Sequence, residues 1–445
     1  MAPGSEPAPE AVGLRTHPLT GVVQGALWAA AASVGLVVSS VLTGDGWGSM
    51  GPWLSLLIAV VGGLVFGMGF GFVMWRFTRY VIDGSELRIT SGIITKASRR
   101  IPYERIQSVD IAEPFVARIF GLAELRIEMA GGKESRTSLR FLTLDDSRAL
   151  RGVLLARAHG EEKLHDAEHR SIITVVPPLR IVIGTVLSLD FVFATIGSAV
   201  LVVLTTWYDQ VVVALGGIIA LGSWLMQIVT KRIMQQWDFT LSRGERGLRI
   251  ERGLLSRTSQ TIPYNRVQGI AVKEPFVWRR LGWQRLEVDV AGYAAHGDEQ
   301  GTDSSSTLLP ISDPLLAGAI IGELISSAAA DTVLRTRAPS RSWPFAPIGW
   351  RYRRIGADER TFVAREGWIE RTTSIVPHHK TQSVELRQGP LQRRLRLATV
   401  EVHTPKGPVD ADGRNLDQDD ARDAMLAQLE RARASRGLTH PPRLG

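Results

Sequence analysis

The stretch Ile101-Pro102-Tyr103-Glu104-Arg105-Ile106-Gln107-Ser108-Val109 is written three times in this chain. It returns as Ile262-Pro263-Tyr264-Asn265-Arg266-Val267-Gln268-Gly269-Ile270 and, more loosely, as Val376-Pro377-His378-His379-Lys380-Thr381-Gln382-Ser383-Val384. The first two copies continue to Glu113-Pro114-Phe115-Val116 with Gly121, and to Glu274-Pro275-Phe276-Val277 with Gly282, at equal offsets. Register holds without a gap through Arg118, Arg279 and Arg393, which shared composition does not produce. A period this long means repeated whole domains, because solenoid repeats run to roughly 20–50 residues.

Each copy sits in a common frame. Before it comes an alternating stretch ending in glycine: Leu87 to Gly92, Leu248 to Gly253 and Phe362 to Gly367. After it comes a second alternating run, beginning at Leu125, Leu286 and Val400. Apolar residues at every second position indicate half-buried strands. A helical pattern then follows an aspartate (Asp145, Asp313 and Asp417), a good N-cap residue. The repeat therefore reads as a small antiparallel β-barrel or sandwich closed by a C-terminal helix.

The Gly-ended strand, the Ile-Pro-x-x-Arg-x-Gln-x-Val motif, the Pro-containing turn, the Arg and the final helix together resemble the bacterial PH-like domain of YdbS/YdbT-like membrane proteins. The resemblance covers the three units, roughly two-thirds of the chain. It implies that the remaining apolar segments are membrane hairpins and that a smaller companion with one PH-like unit is a partner. The third copy departs from the pattern, with Gln388-Gly389-Pro390 in place of Glu-Pro-Phe and Arg396 where the others have Gly121 and Gly282.

At 445 residues the chain is long enough for about three domains. Its apolar fraction of 44% averages very apolar segments with highly charged ones. The absence of cysteine excludes disulfides and thiolate metal sites. A net charge of +8, dispersed along the chain, does not suit a dedicated nucleic-acid binder. It suits a basic protein beside an anionic membrane leaflet.

In order, the reading is a disordered tail (1–20), transmembrane hairpin 1 (21–76), the first PH-like unit (77–160) and a charged linker (161–178). Hairpin 2 (179–232), the second unit (233–330), a polar linker (331–347) and the third unit (348–437) complete the chain. The expected spans are residues 22–42, 53–75, 181–205 and 211–229, each long enough for a bilayer that needs about 20 residues. Gly63, Gly67 and Gly71 give the second span a doubled small-xxx-small spacing for close helix packing. Arg15, Arg76, Arg79, Arg180, Lys231 and Arg232 flank the spans on one side, whereas the opposite turns carry Asp45 and Asp209 without Lys or Arg. The positive-inside rule then places the tail and all three units in the cytoplasm of a multi-pass cell-membrane protein.

Arg105, Arg266 and Lys380 occupy equivalent places, as do Arg118, Arg279 and Arg393; with Arg394 and Arg396 they form a candidate basic edge for lipid headgroups or a partner's carboxylates. The competing reading is solvated edge charge that discourages strand pairing. Asp190, within the third expected span, is the candidate intramembrane polar group, with no basic partner in reach and hence a protonated, hydrogen-bonded carboxyl. His165-x-x-Glu168-His169 has the spacing of an inverted zinc-protease motif but reads better as a solvated linker helix. His378-His379 reads as a surface turn. No phosphate loop, catalytic triad or carboxylate pair stands out, so no cofactor, metal or enzymatic activity is expected. The function read from the sequence is binding at the inner membrane face, to a protein, to anionic lipid or within a homo-oligomer. A transport component gated by the PH-like units is the alternative, and a membrane zinc protease a remote one.

Overall fold

A computed structural model describes residues 13–15, most of 28–35, 52–159, 171–291 and 307–439. Short stretches at 78, 84–85, 92–96, 130–135, 208–210, 245–246, 326–329, 406 and 408 are excepted. The first expected span, the Asp45 and Asp209 turns and the His165–His169 motif fall largely or wholly outside the described residues.

The same order of strands is built three times. Repeat 1 contains β1 (Gly13–Arg15), α1 (Pro52–Phe77), β2 (Arg79–Ile82), β3 (Glu86–Ser91), β4 (Ala97–Pro102), β5 (Ile106–Glu113), α2 (Phe115–Ile119), β6 (Leu122–Met129), β7 (Arg136–Thr143) and α3 (Leu144–His159). Repeat 2 contains β8 (Ser171–Val176), α4 (Pro178–Val186), α5 (Leu189–Trp207), α6 (Val211–Val229), β9 (Phe239–Arg243), β10 (Gly247–Arg252), β11 (Arg257–Pro263), β12 (Val267–Pro275), α7 (Phe276–Arg280), β13 (Gln284–Val290), β14 (Thr307–Ser312) and α8 (Pro314–Ile325). Repeat 3 contains α9 (Ala330–Val333), β15 (Thr336–Arg337), β16 (Arg354–Ala357), β17 (Thr361–Glu366), β18 (Glu370–Pro377), β19 (Ser383–Arg387), α10 (Pro390–Arg394), β20 (Leu397–His403), β21 (Ala411–Asp417) and α11 (Gln418–Thr439). The chain divides into two compact parts: residues 1–169 with 255–260, and 170–254 with 261–445.

The proline of the motif ends β4, β11 and β18, where a missing N–H costs the ladder least. One 3-10 turn follows in every copy. The residue before the proline (Ile101, Ile262 or Val376) is fully buried and anchors that corner in its core. The ring two positions later is tied down too. Tyr103 donates to the Asp83 carbonyl (2.7 Å), Tyr264 donates to Glu323 Oε1 (2.8 Å), and His378 Nε2 lies 3.1 Å from the Asp358 carbonyl. His378 is thus buried, which corrects the surface reading of that turn; His379 alone is exposed. Gln268 satisfies the Arg266 carbonyl within its repeat (3.0 Å).

The expected alternation holds only locally: Leu125 and Ile127 are buried around exposed Arg126, but the polar alternates Glu124 and Glu128, and Glu287 and Asp289 in β13, are buried as well. Asp313 and Asp417 cap their helices by accepting from Leu316 N (2.9 Å) and Asp419 N (3.0 Å). In repeat 1 the cap is instead Thr143, whose hydroxyl accepts from Asp146 N (3.1 Å).

The apolar helices do not precede the repeats. They are inserted into them. A first strand pairs with the strand beyond the insertion at Leu14↔Tyr80, Val175↔Thr240 and Thr336↔Ile355. β1 therefore lies in the expected tail, β8 in the expected 161–178 linker and β15 in the expected 331–347 linker. These strands are short, and two of the three have their partners more than sixty residues further along, so local periodicity carries little trace of them.

Among the described residues one helix is by itself long and apolar enough to cross a membrane, at Leu54–Val73; a bent pair makes two if counted as one span. Two complete transmembrane hairpins therefore go beyond what the described helices establish. Gly63 meets the backbone of Trp28 and Ala29, and Gly67 and Gly71 are buried, so the small-residue stripe of α1 is its packing face. The expected third span breaks between α4 and α5 with a 52° bend. Ser188 explains the break: its hydroxyl donates to the Thr185 carbonyl (2.7 Å) and accepts from Phe191 N (3.4 Å), ending one helix and capping the next. α4 packs against the sheet. Gly184 lies against Ile311 and Trp278, and its carbonyl accepts from Trp278 Nε1 (3.1 Å).

Within the second part, β12 of repeat 2 pairs antiparallel with β18 of repeat 3, making a seven-stranded sheet in the order β14-β13-β12-β18-β17-β16-β15. The core crosses this join, with Val363 and Ile375 among the buried residues around Ile270 and Val272.

Candidate functional site

The eight candidate basic residues do not form one edge. Lys380 and Arg279 are used inside the join between repeats 2 and 3. The Lys380 ammonium donates to the Asn265 carbonyl (2.7 Å), and Arg279 donates to the Trp368 carbonyl (3.1 Å) while lying 5.6 Å from the centre of the Phe276 ring. Burial lowers the pKa of both groups, as expected of cations removed from water. Arg266 is half-buried; Arg105 and Arg118 are exposed in repeat 1.

Arg393, Arg394 and Arg396 are exposed, on and just after α10. Arg396 holds φ +50° where Gly121 and Gly282 hold φ +67°, so the turn is preserved at some strain and gains a cation.

Beside this turn lies a surface the sequence reading passed over. Between β15 and β16, where repeats 1 and 2 insert apolar helices, repeat 3 has two short 3-10 turns, Ser340–Phe345 and Gly349–Tyr352. Trp343 is 58% exposed and Ile348 56%, with Phe345 close by. Arg341 fixes these turns to the α10 corner, donating to the carbonyls of Leu395 (2.9 Å) and Arg396 (3.3 Å) and pairing with Asp417. Aromatic side chains and arginines thus share one surface, to which α10 adds exposed Leu391. Repeat 2 has the corresponding geometry, its α7 corner touching the inserted α4 through Trp278 and Gly184. The available signal was Trp343-Pro344-Phe345-Ala346-Pro347-Ile348 between Arg341 and Arg351, too short to span a bilayer but rich in interface-seeking residues.

Asp190 is not in mid-span. It lies in the first turn of α5, 55% exposed, and forms an ion pair with Arg232 of the π-helical turn Thr230–Met234 that follows α6. The expectation of a carboxyl without a basic partner is thereby corrected.

A groove of about 670 Å³ in repeat 3 is lined by Arg387, Glu401, His403, Asp410, Asp412 and Arg414, among others. Its arginines are engaged by carboxylates of the same wall: Arg387 with Glu401 (3.1 Å) and Arg414 with Asp412 (3.0 Å). Glu385, Glu401 and His403 converge at metal-ligand spacing, but Arg387 sits on both carboxylates, which makes this an ion-pair network. Asp289 is buried against Gly407, with one carboxylate oxygen lacking a hydrogen-bond partner. Burial, and then Asp410, pushes its carboxyl up to about 7.

Three stretches, residues 26–158, 181–315 and 315–433, match the family described as bacterial PH domain. The chain is also similar to the UPF0699 transmembrane protein YdbT of Bacillus subtilis (strain 168), at 25% identity over 273 residues. That match covers 53% of this chain and spans only 54% of the relative's length.

Proposed function

Because the chain belongs to the bacterial PH domain family, we propose that it is a non-catalytic scaffold held in the cell membrane by its inserted helices, with all three PH-like repeats on the cytoplasmic face. Its third repeat touches the lipid surface without crossing it. The observation that carries this reading is the position of the Trp343–Ile348 turn, which stands where the other repeats insert apolar helices.

The chemistry fits an anionic interface. Trp and Phe rings favour the headgroup level, where one side is apolar and the other wet. Arg393, Arg394 and Arg396 beside them would each contribute about 1 kcal/mol near an acidic leaflet. α5 contains 19 residues, about 28 Å of helix, against a hydrocarbon core of about 30 Å. Taking α5 rather than α4–α5 as the span puts the Asp190–Arg232 pair at the bilayer boundary, where neither charge needs to be buried. This removes the main support for a transport pathway through the helices.

The test uses the natural absence of cysteine. The full chain is reconstituted in vesicles with a fluorophore on Trp343→Cys, Ile348→Cys or, as the aqueous control, Arg433→Cys. Lipid-borne quenchers should dim the first two labels and spare the third, more strongly with acidic lipid and low salt. Replacing Arg393, Arg394 and Arg396 with Ser should remove the salt dependence. Labels at 343 and 348 that respond only to an aqueous quencher would overturn the reading.

A further inference from the structure

The repeats join edge to edge by one rule. β18 adds to β12 with Ile270↔Ile375, Ala271↔Ser374, Val272↔Thr373, Lys273↔Thr372 and Glu274↔Arg371. Arg371 and Glu274 are 3.6 Å apart. In the first compact part, Arg257, Thr258 and Ser259 pair with Glu113, Ala112 and Ile111 in the same register. Arg257 and Arg371 stand at the same place before the motif proline, and Glu113 and Glu274 at the same place after the motif glutamine. The two junctions thus repeat the register, and each sets an arginine opposite a glutamate.

Each strand of this rule is also present once without its complement. β19 is the repeat 3 equivalent of β5 and β12. It forms the edge of the sheet β19-β20-β21, and no strand pairs with its outer side among the described residues. Ser383, Glu385 and Arg387 on it are exposed. β4 is the repeat 1 equivalent of β11 and β18. It ends the sheet β1-β2-β3-β4, again with no strand on its outer side among the described residues. Repeat 3 thus offers an acceptor edge and repeat 1 a donor strand.

We infer that these two edges are an interaction surface for a second copy of this chain, β4 of one copy adding antiparallel to β19 of the next. The junction register, carried over, sets Val384 opposite Arg100, Glu385 opposite Arg99, Leu386 opposite Ser98 and Arg387 opposite Ala97. Glu385 and Arg99 restore across the new contact the acid–base pairing that Gln388 has lost from its usual position in repeat 3. Gln388 itself donates to the Leu397 carbonyl (2.9 Å) within its own repeat. Charges on an open edge discourage indiscriminate pairing, and a complementary strand removes that obstacle for one partner. Such a contact is head-to-tail, so it closes into a ring or runs on as a filament.

Glu385→Cys chains and Arg99→Cys chains, each carrying one cysteine, are purified, reconstituted together in vesicles and oxidised. Directly opposed antiparallel residues lie about 4.5–5.5 Å apart at Cα, within disulfide range. A disulfide-linked dimer should appear in the mixture as the heterologous pair, identified by mass, and a chain bearing both cysteines should give a ladder. Glu385→Lys should abolish cross-linking by a neighbouring pair (Leu386→Cys with Ser98→Cys), and adding Arg99→Glu should restore it. The single chain with Glu113→Cys and Arg257→Cys, which closes internally, controls for oxidation. If that control closes while the mixture yields no heterologous dimer, the inference is wrong. Cross-linking of Glu385→Cys only to a different protein would equally overturn it, by giving the edge another occupant.

Discussion

Arg232 donates to Asp190 across the base of α5 and α6, joining the end of one apolar helix to the start of another. Asp190 also lies in the first turn of α5, where a negative charge is favoured by the helix macrodipole. Both partners are partly exposed, so the pair is worth about 1 kcal/mol rather than the larger value of a buried one. Asp190→Asn and Arg232→Met should each lower the detergent melting temperature by a few degrees, and the double variant should lose less than their sum. Strict additivity would show that the two side chains do not interact.

The break that places Asp190 there was legible only in part. Residues 181–205 are predominantly apolar, and hydropathy alone extends one helix through them. Ser188 followed by Asp190 is an N-cap with an acidic first turn, a signal that apolar flanks conceal. The strand-ending prolines and the buried residues before them were legible at the motif corners, because Pro377 and Ile262 do the same work wherever the copy occurs. The burial of His378 was not, since the third copy has His-His where the others have a tyrosine. The Trp343 surface was not, since its meaning comes from standing where the other repeats insert helices, and that requires the β15–β16 pairing.

Asp289 should make stability fall as pH rises. Its folded pKa, about 7, lies above the ordinary carboxylate value of 3.8, so the folded state holds the proton more tightly. The contribution is complete below about pH 4 and is lost as pH climbs through 7. Asp289→Asn should flatten the melting temperature between pH 5 and 8 and raise it at the upper end. An unchanged pH profile would mean that the carboxyl is not the titrating group.

His378 should act with the opposite sign. Burial lowers its pKa, so the neutral ring stabilises the fold above the unfolded value of 6.5, and this is lost as pH falls below that. In the Asp289→Asn background the remaining acid-side loss should shrink when His378 becomes Gln. Imidazole titration followed by NMR checks it directly, and a pKa at or above 6.5 would refute it.

Two glycines in left-handed backbone should respond unequally to a methyl group. At Gly282, φ is +67° and an added Cβ meets nothing within 4 Å, so Gly282→Ala should cost only about 1 kcal/mol of backbone strain. At Gly367, φ is +90° and the Cβ would collide with the Glu370 carbonyl oxygen, which is backbone and unable to rotate away. Gly367→Ala should cost about 3 kcal/mol and open the β17–β18 hairpin. Denaturant titration of the two variants decides it, and equal losses would contradict the geometry.

The proposed orientation of the chain rests on where its flanking charges stand. Arg180, Lys231 and Arg232 all lie at the end of the helices that meets the repeat 2 sheet, and Arg76 and Arg79 lie at the corresponding end of α1. In the sequence, the connections between paired apolar segments carry Asp45 and Asp209 without Lys or Arg. If the positive-inside rule governs insertion, the sheets and these charges are cytoplasmic. Cys at Gly46 or Gln210 should then react with an impermeant thiol reagent in intact cells, and Cys at Ser135 or Ser305 only after lysis. The chain has no native cysteine to confuse the readout. The reverse labelling pattern would invert the orientation, moving the Trp343 surface and the β19 edge to the outer face together.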